Sequence, residues 1–269
     1  MKKLLKIVFA MFINVAMFAQ SAEQDTTFVE SRFMETKSYF ELIKQKEEFK
    51  KQNIDIDMVA IRERPYSIGK TEVTQKLYEA VMGENPSEFK GDDLPVERVS
   101  WYDAIYFCNK LSKLKGRMPV YSVNGKTDVN EWDYKPHEGS SISGEISQNT
   151  EANGYRLPTN EEWENAAMGG KRYTYSGSND LDEVGWYEEN SNSKTHPVAQ
   201  KKANDYGLYD MSGNVCEWVW DADDDDVVRY KRGGSWSLIA DFSKVSYEGR
   251  SYAYYWGDYL GFRLLLPLE

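Results

Sequence analysis

Two cysteines, Cys108 and Cys216, and two histidines, His137 and His196, are the chain's whole stock of thiol and imidazole ligands. They stand far apart in the sequence, so no adjacent pairs assemble a Cys₄ or Cys₂His₂ zinc site. Each cysteine reads as a small buried hydrophobe, and each histidine as a solvated surface residue. Export would permit a Cys108 to Cys216 disulfide, although burial by itself does not pair them. Serine and aspartate are plentiful, but no nucleophile-elbow pattern accompanies them. A better candidate for chemistry is Asp210 to Glu217, a compact turn with a carboxylate at each end. Its Gly213 and Asn214 let the intervening carbonyls point inward, as a hard cation requires. The competing reading is a tight turn whose aspartate caps backbone N–H groups. Asp221 and Asp223 to Asp226 form a longer acidic run, which reads as solvated loop.

Recognition chemistry is concentrated near the C-terminus. Ser237 to Tyr259 contains Tyr247, Tyr252, Tyr254, Tyr255 and Tyr259, five of the chain's 19 tyrosines, together with Phe242, Trp256, four serines and two glycines. Rigid amphipathic rings beside small adaptable residues are the composition of a contact surface. Five tyrosines so close together cannot readily all be buried with satisfied hydroxyls, so at least three are expected to be exposed. The alternative is that Tyr252 and Tyr254, at alternate positions, fill a loop-rich core.

The elements that must position these residues follow from pattern. Met1 to Ala22 carries Lys2, Lys3 and Lys6, then an apolar run from Ile7 to Phe18, then small residues, the order of a secretory signal. Its removal, over about residues 1–21, takes three lysines and changes the formal charge from −11 to −14. Residues 22–53 read as a polar, partly helical spacer, and 54–269 as one domain. Met58 to Ile61 and Pro65 to Ile68 look like short strands. Thr74 caps a helix that stops at Gly83. Ser100 and Asp103 form a capping box, as do Thr159 and Glu162. Residues 122–153 lack any period and read as an insertion with few regular elements. With 44 acidic against 33 basic residues and no Lys/Arg stripe, nucleic acid is excluded as a partner.

Six segments in order carry a resemblance. They are Tyr66-Ser-Ile-Gly-Lys-Thr-Glu-Val-Thr74, Pro95-Val-Glu-Arg-Val-Ser-Trp101, Gly154-Tyr-Arg-Leu-Pro-Thr159 with Glu162 and Trp163, Tyr206-Gly-Leu-Tyr-Asp-Met-Ser-Gly-Asn-Val215 with Glu217 and Trp218, Arg232-Gly-Gly-Ser-Trp236, and Gly261-Phe-Arg263. Over about residues 57–266 the chain resembles the formylglycine-generating, sulfatase-modifying-factor domain. That resemblance implies an α+β, C-type-lectin-like fold with little regular structure, a few short helices and a terminal strand that returns to the first ones. The glycine-rich stretch usual before the first strand pair is missing. Enzyme members hold copper(I) with two thiolates, soft ligands for a soft cation. The matching positions here are Leu238 and Ser243, so no copper and no oxidase chemistry are expected. A related branch uses three histidines for iron, which two histidines cannot supply. The resemblance also implies a structural calcium, with the Asp210 and Glu217 side chains and the Gly213 and Val215 carbonyls as donors.

The Tyr-rich segment lies where the variable proteins diversified by retroelements, which resemble this chain, vary their sequence. Within it only Lys244, Glu248 and Trp256 fall outside the residue types that adenine mutagenesis of asparagine codons provides. The expected protein is therefore an exported, non-catalytic, monomeric binder of the periplasm or cell surface, without a transmembrane span once the signal is removed. Its protein or cell-surface ligand would sit on Ser237, Leu238, Phe242, Tyr247, Tyr252, Tyr254, Tyr255, Trp256 and Tyr259. The alternatives are an oxidase with an altered centre, or a structural envelope or motility component.

Overall fold

The computed structural model describes residues 26–52, 54–139, 141–223 and 226–268, with side chains from residue 36 onward except 38. The expected signal segment lies outside the described residues. The chain divides after Lys51 into two units. The first contains one continuous helix, α1 (Thr26–Lys51), where the sequence suggested a partly helical spacer. Among the described residues no helix is long and apolar enough to cross a membrane.

The second unit is α+β with short elements. Strands β1 (Met58–Ala60) and β2 (Tyr66–Gly69) pair antiparallel, and the terminal strand β9 (Leu265–Pro267) returns to the other side of β2, with Tyr66 opposite Pro267. Helix α2 (Gln75–Met82) starts where Thr74 Oγ1 accepts from Leu77 N, and it ends at Gly83, whose φ of 90° suits a residue without Cβ. Helix α3 (Trp101–Leu114) begins with both bonds of the Ser100/Asp103 capping box, and α4 (Asn160–Met168) with both of the Thr159/Glu162 box. Residues 122–153 hold few regular elements, as expected. Their ends are closed by a hairpin of β3 (Tyr121–Val123) and β4 (Ile146–Gln148), strengthened by the Ser122 and Ser147 hydroxyls at 2.8 Å.

Two apolar regions hold the unit together. One packs Trp163, Ala166 and Ala167 of α4 against Ile68, Met211, Val219, Val245 and Leu265, all buried. In the other, Phe107 of α3 lies 5.1 Å from the Tyr78 ring and 5.3 Å from Phe262. Cys108 on the same helix is buried and free, and so is Cys216; no disulfide joins them.

The main sheet positions the Tyr-rich segment. Its order is β7 (Gly249–Tyr252), β6 (Val228–Arg232), β5 (Cys216–Ala222), β8 (Leu260–Phe262). Strands β6 and β8 lie on opposite sides of β5, the latter in parallel with Cys216 opposite Leu260. The chain from Gly233 to Tyr259 must therefore cross from one side of β5 to the other, and it places β7 at the outer edge on the way.

Candidate binding surface

The crossing starts at Gly233 and Gly234, both at positive φ (89° and 71°). Gly234 also meets the Ser243 side chain so closely that no Cβ could be accommodated there. Trp236 joins the two ends of the segment: its backbone N–H donates to Asn214 O (2.8 Å), and its indole Nε1 donates to Asp258 O (2.9 Å). Beneath it, Phe89 meets the indole edge-on at 5.4 Å.

The scaffold grips the segment mostly through the segment's own main chain. Ser212 Oγ donates to Ser243 O (2.8 Å), the buried Arg232 donates Nη2 to Val245 O (2.9 Å), Trp101 N donates to Ala253 O (3.0 Å), and Arg98 N donates to Gly257 O (3.0 Å). Cys216 N donates to Tyr259 O at 2.8 Å. Side chains between these anchors are thereby left outside. Tyr247, Tyr252, Tyr254, Tyr255 and Trp256 are 36%, 53%, 41%, 38% and 44% exposed, which removes the reading of Tyr252 and Tyr254 as core. Tyr252 and Tyr254 stack on each other at 5.3 Å and 9°, and Trp256 lies 5.6 Å from the Arg98 guanidinium. Tyr255 and Tyr259 share a hydroxyl contact at 3.3 Å, and that hydrogen bond together with burial pushes Tyr255 up to about 12. Ser237, Leu238, Phe242 and Tyr259 are half-buried; Phe242 packs edge-on against Tyr247 at 4.9 Å.

The pillar under this surface carries a pH-sensitive group that composition could not reveal. Glu97 is fully buried, accepts Phe89 N at Oε1 (2.9 Å), and has no partner at Oε2 among the described residues. Burial pushes its carboxyl up to about 7. The protonated form is favoured in the folded state, so the stability it contributes is present below the ordinary carboxylate range and is lost as pH rises toward about 7. Glu97→Gln is expected to remove that decline, read as the difference in urea-unfolding free energy between about pH 5 and about pH 8. An unchanged difference would contradict the assignment.

The turn from Asp210 to Glu217 is buried, with φ of 56° at Asp210 and 95° at Gly213. Both Glu217 oxygens are engaged: Arg263 Nη2 donates at 2.7 Å and Nε at 3.0 and 3.1 Å, and Trp163 Nε1 donates to Oε2 at 2.7 Å. Asp210 Oδ2 accepts Ala199 N at 2.7 Å, but its Oδ1 has no partner among the described residues. Glu72, which the sequence reading missed, is 2% exposed, and among the described residues neither of its oxygens has a hydrogen-bond partner. Burial, and then Asp210, raises Glu72 well above the usual carboxylate range, and burial raises Asp210 to about 6. Three carboxylates thus face the single guanidinium of Arg263. Orphaned buried oxygens and surplus negative charge fit a bound cation. Among the described residues no three His, Cys, Asp or Glu side chains form a metal cage, so a cation here would need main-chain carbonyls such as those of Gly213 and Val215.

The histidines are not the solvated surface groups expected. The His137 side chain is only 15% exposed, with Nε2 3.1 Å from the Tyr78 hydroxyl and Nδ1 3.6 Å from Asp103 Oδ2. His196 stacks on Trp186 at 3.8 Å. Each closes a local polar network, and the two do not meet. Of the acidic run, Asp221 is not simply solvated: it accepts Asn160 N at 2.6 Å at the start of α4, where a carboxylate offsets the helix dipole.

Leu238 and Ser243 come to one place. Leu238 borders a cavity together with Gly234, against which the buried Ser243 side chain lies, and Cys216 also borders it. Burial pushes the Cys216 thiol up, away from the thiolate form that binds metals or attacks substrates.

Comparison with known proteins agrees with this geometry. The sulfatase-modifying factor enzyme 1-like domain matches residues 39–267. The chaperone protein LppX of Paenibacillus barcinonensis is 42% identical over 210 residues, 69% of this chain and 74% of that one. An inactive C-alpha-formylglycine-generating enzyme 2 of Bos taurus is 41% identical over 106 residues, so the chain spans about a third of that relative, 35% of its length. Among solved structures, Treponema denticola variable protein 1 superposes with a TM-score of 0.69 at 36% identity, covering 79% of this chain and 92% of that one. The structure of CarF gives 0.64 at 29% identity, covering 80% and 95%.

Proposed function

The chain belongs to the sulfatase-modifying factor enzyme 1-like family, and on that footing we propose that it is an exported, non-catalytic binding protein whose segment 237–259 is the ligand face. The observation that carries this reading is the division of labour in the segment: carbonyls of Ser243, Val245, Ala253, Gly257, Asp258 and Tyr259 hold it to the scaffold, while five large aromatic side chains stay exposed. Main-chain anchors are indifferent to side-chain identity. Residues between them can be exchanged without loss of the fold, which is the property a retroelement-diversified segment needs. The similarity to a Treponema variable protein and to an inactive relative of the formylglycine-generating enzymes supports a scaffold used for binding. Leucine and serine at positions 238 and 243 cannot supply two thiolates to copper(I). The ligand is a protein or cell-surface molecule, bound by a monomer. Peptides recovered by panning a displayed library against the full chain should lose affinity when exposed aromatics of the segment are exchanged. They should keep it when Met118, 56% exposed elsewhere, is exchanged; the reverse pattern would sink the reading.

A structural calcium ion belongs to the same proposal, held by Asp210 and the Gly213 and Val215 carbonyls with Glu72 beside them, whereas Glu217, whose two oxygens Arg263 and Trp163 occupy, drops out of the donor set. When bound it would add positive charge beside Asp210 and Glu72, which share the one Arg263 guanidinium with Glu217. Calcium at about 100 times its dissociation constant is expected to raise the unfolding free energy by about 2.7 kcal/mol. Asp210→Asn should reduce the gain, and a denaturation curve unmoved by calcium or by chelator would remove the ion from the account.

A further inference from the structure

The Tyr-rich segment borders an open cavity as well as presenting a face. It measures about 170 Å³, and its border includes Cys216, Lys231, Leu238, Phe242 and Tyr247. Lys231 enters from β6 directly opposite Gly249 of β7. A Cβ at Gly249 would come within 3.0 Å of Lys231 Cγ, so the glycine keeps open the lane along which the lysine stem runs. The ammonium lies 4.7 Å from the centre of the Tyr259 ring. In a chain with 44 acidic residues, Lys231 has no ion-pair partner among the described residues, whereas nearby Lys244 and Arg98 pair with Asp241 and Glu88 at 2.7 Å. Behind the lining residue Gly234, the fully buried Ser243 hydroxyl has no hydrogen-bond partner among the described residues. Arg250 also borders the space, with its guanidinium over the Tyr230 ring at 4.8 Å.

We propose that this cavity receives a carboxylate of the ligand, whose charge is met by Lys231. This deepens the ligand-face reading and rests on it. Lys231 is a half-buried residue, and an ammonium without a counter-charge among the described residues can give an incoming anion a charge-assisted hydrogen bond. The apolar walls of Leu238, Phe242 and Tyr247 suit the short stem that carries a carboxyl group, and the volume suits one side chain rather than a drug-sized molecule. Phosphate fits less well, because a dianion with three oxygens is usually met by several donors or an arginine fork, and the guanidinium of Arg250 is committed to the Tyr230 ring. The acidic balance of the whole chain does not oppose this, since charges beyond about 8 Å are screened at physiological salt.

The source of the carboxylate, a side chain or a chain terminus, is separated by probe. The full ¹⁵N-labelled chain is titrated with N-acetylglutamic acid α-amide, with N-acetylalanine, and with the neutral N-acetylglutamine α-amide, reading the Gly234 and Gly249 amide resonances. Saturable shifts are expected with at least one carboxylate and not with the neutral amide. A response to the first probe alone assigns a side-chain acid, and to the second alone a C-terminus. Lys231→Met should weaken carboxylate binding by at least about tenfold, while Lys231→Arg should largely retain it. Equal shifts from the neutral amide, no shift from either acid, or undiminished affinity in Lys231→Met would overturn the proposal. The probe comparison uses the unaltered chain, so it stands even where a variant fails to fold. If exchange of the exposed tyrosines abolishes peptide binding while Lys231→Met does not, the cavity is wrong and the face is right.

Discussion

Arg263→Met is expected to lower the unfolding free energy by about 3–5 kcal/mol, the range measured when one partner of a buried ion pair is removed. Both side chains of the Arg263–Glu217 pair are wholly inaccessible. Arg263 also donates to Gly69 O and Tyr209 O at 2.8 Å each, so it joins β2, the turn at 209–217 and β5 through one guanidinium. Methionine preserves much of the stem but none of the five donors. It would leave Glu217 held only by Trp163 and would remove the one positive charge facing Glu72 and Asp210. Urea unfolding monitored by tryptophan fluorescence reads the loss directly. The doubly changed Arg263→Met, Glu217→Gln chain should lose less than the sum of the two single changes, because no unpaired charge remains in the pair. A loss below about 1 kcal/mol for Arg263→Met would show that the pair is not the brace described.

Tyr252→Ala with Tyr254→Ala carries the second large effect, on binding and not on stability. The two rings are stacked, and more than two-fifths of each is exposed, so little core contact is lost when they are truncated. Unfolding free energy should move by no more than about 0.5 kcal/mol per site beyond the loss of the stack itself, worth about 0.5–1.5 kcal/mol. Aromatic anchors of this kind contribute about 2 kcal/mol or more to an interface, so affinity for a recovered partner should fall by roughly 30-fold or more, measured by calorimetry. Equal affinity in the folded double variant would remove these rings from the ligand face.

Much of this scaffold was legible because its signals are local. Thr74, the Ser100/Asp103 box and the Thr159/Glu162 box act within one helical turn, and all three form the bonds their spacing predicts. Exposure of the tyrosines followed from the difficulty of satisfying so many hydroxyls in one place. What stayed hidden depends on contacts across the sheet or between distant segments. Lys231 gains its meaning only once Gly249 lies opposite and Tyr259 beside it. Glu72 and Asp210 are 138 positions apart, yet they share one buried space, and no spacing rule joins them. The histidines were misread for the same reason: Tyr78 and Trp186, their ring partners, are specified by tertiary packing alone. In α1, weak apolar patterning concealed an uninterrupted helix, since polar residues with good helix propensity continue it without needing a strong apolar stripe.

The central claim, that the ligand is bound by the crossing segment between β6 and β8, is tested most directly by hydrogen exchange of the full chain with and without a recovered binding partner. Slowed exchange is predicted for amides at 238–256, greatest around Tyr247 and from Tyr252 to Trp256, with α1 unchanged. Protection confined to α1, with the Tyr-rich segment exchanging as in the free protein, would contradict the account and assign binding to the N-terminal helix instead.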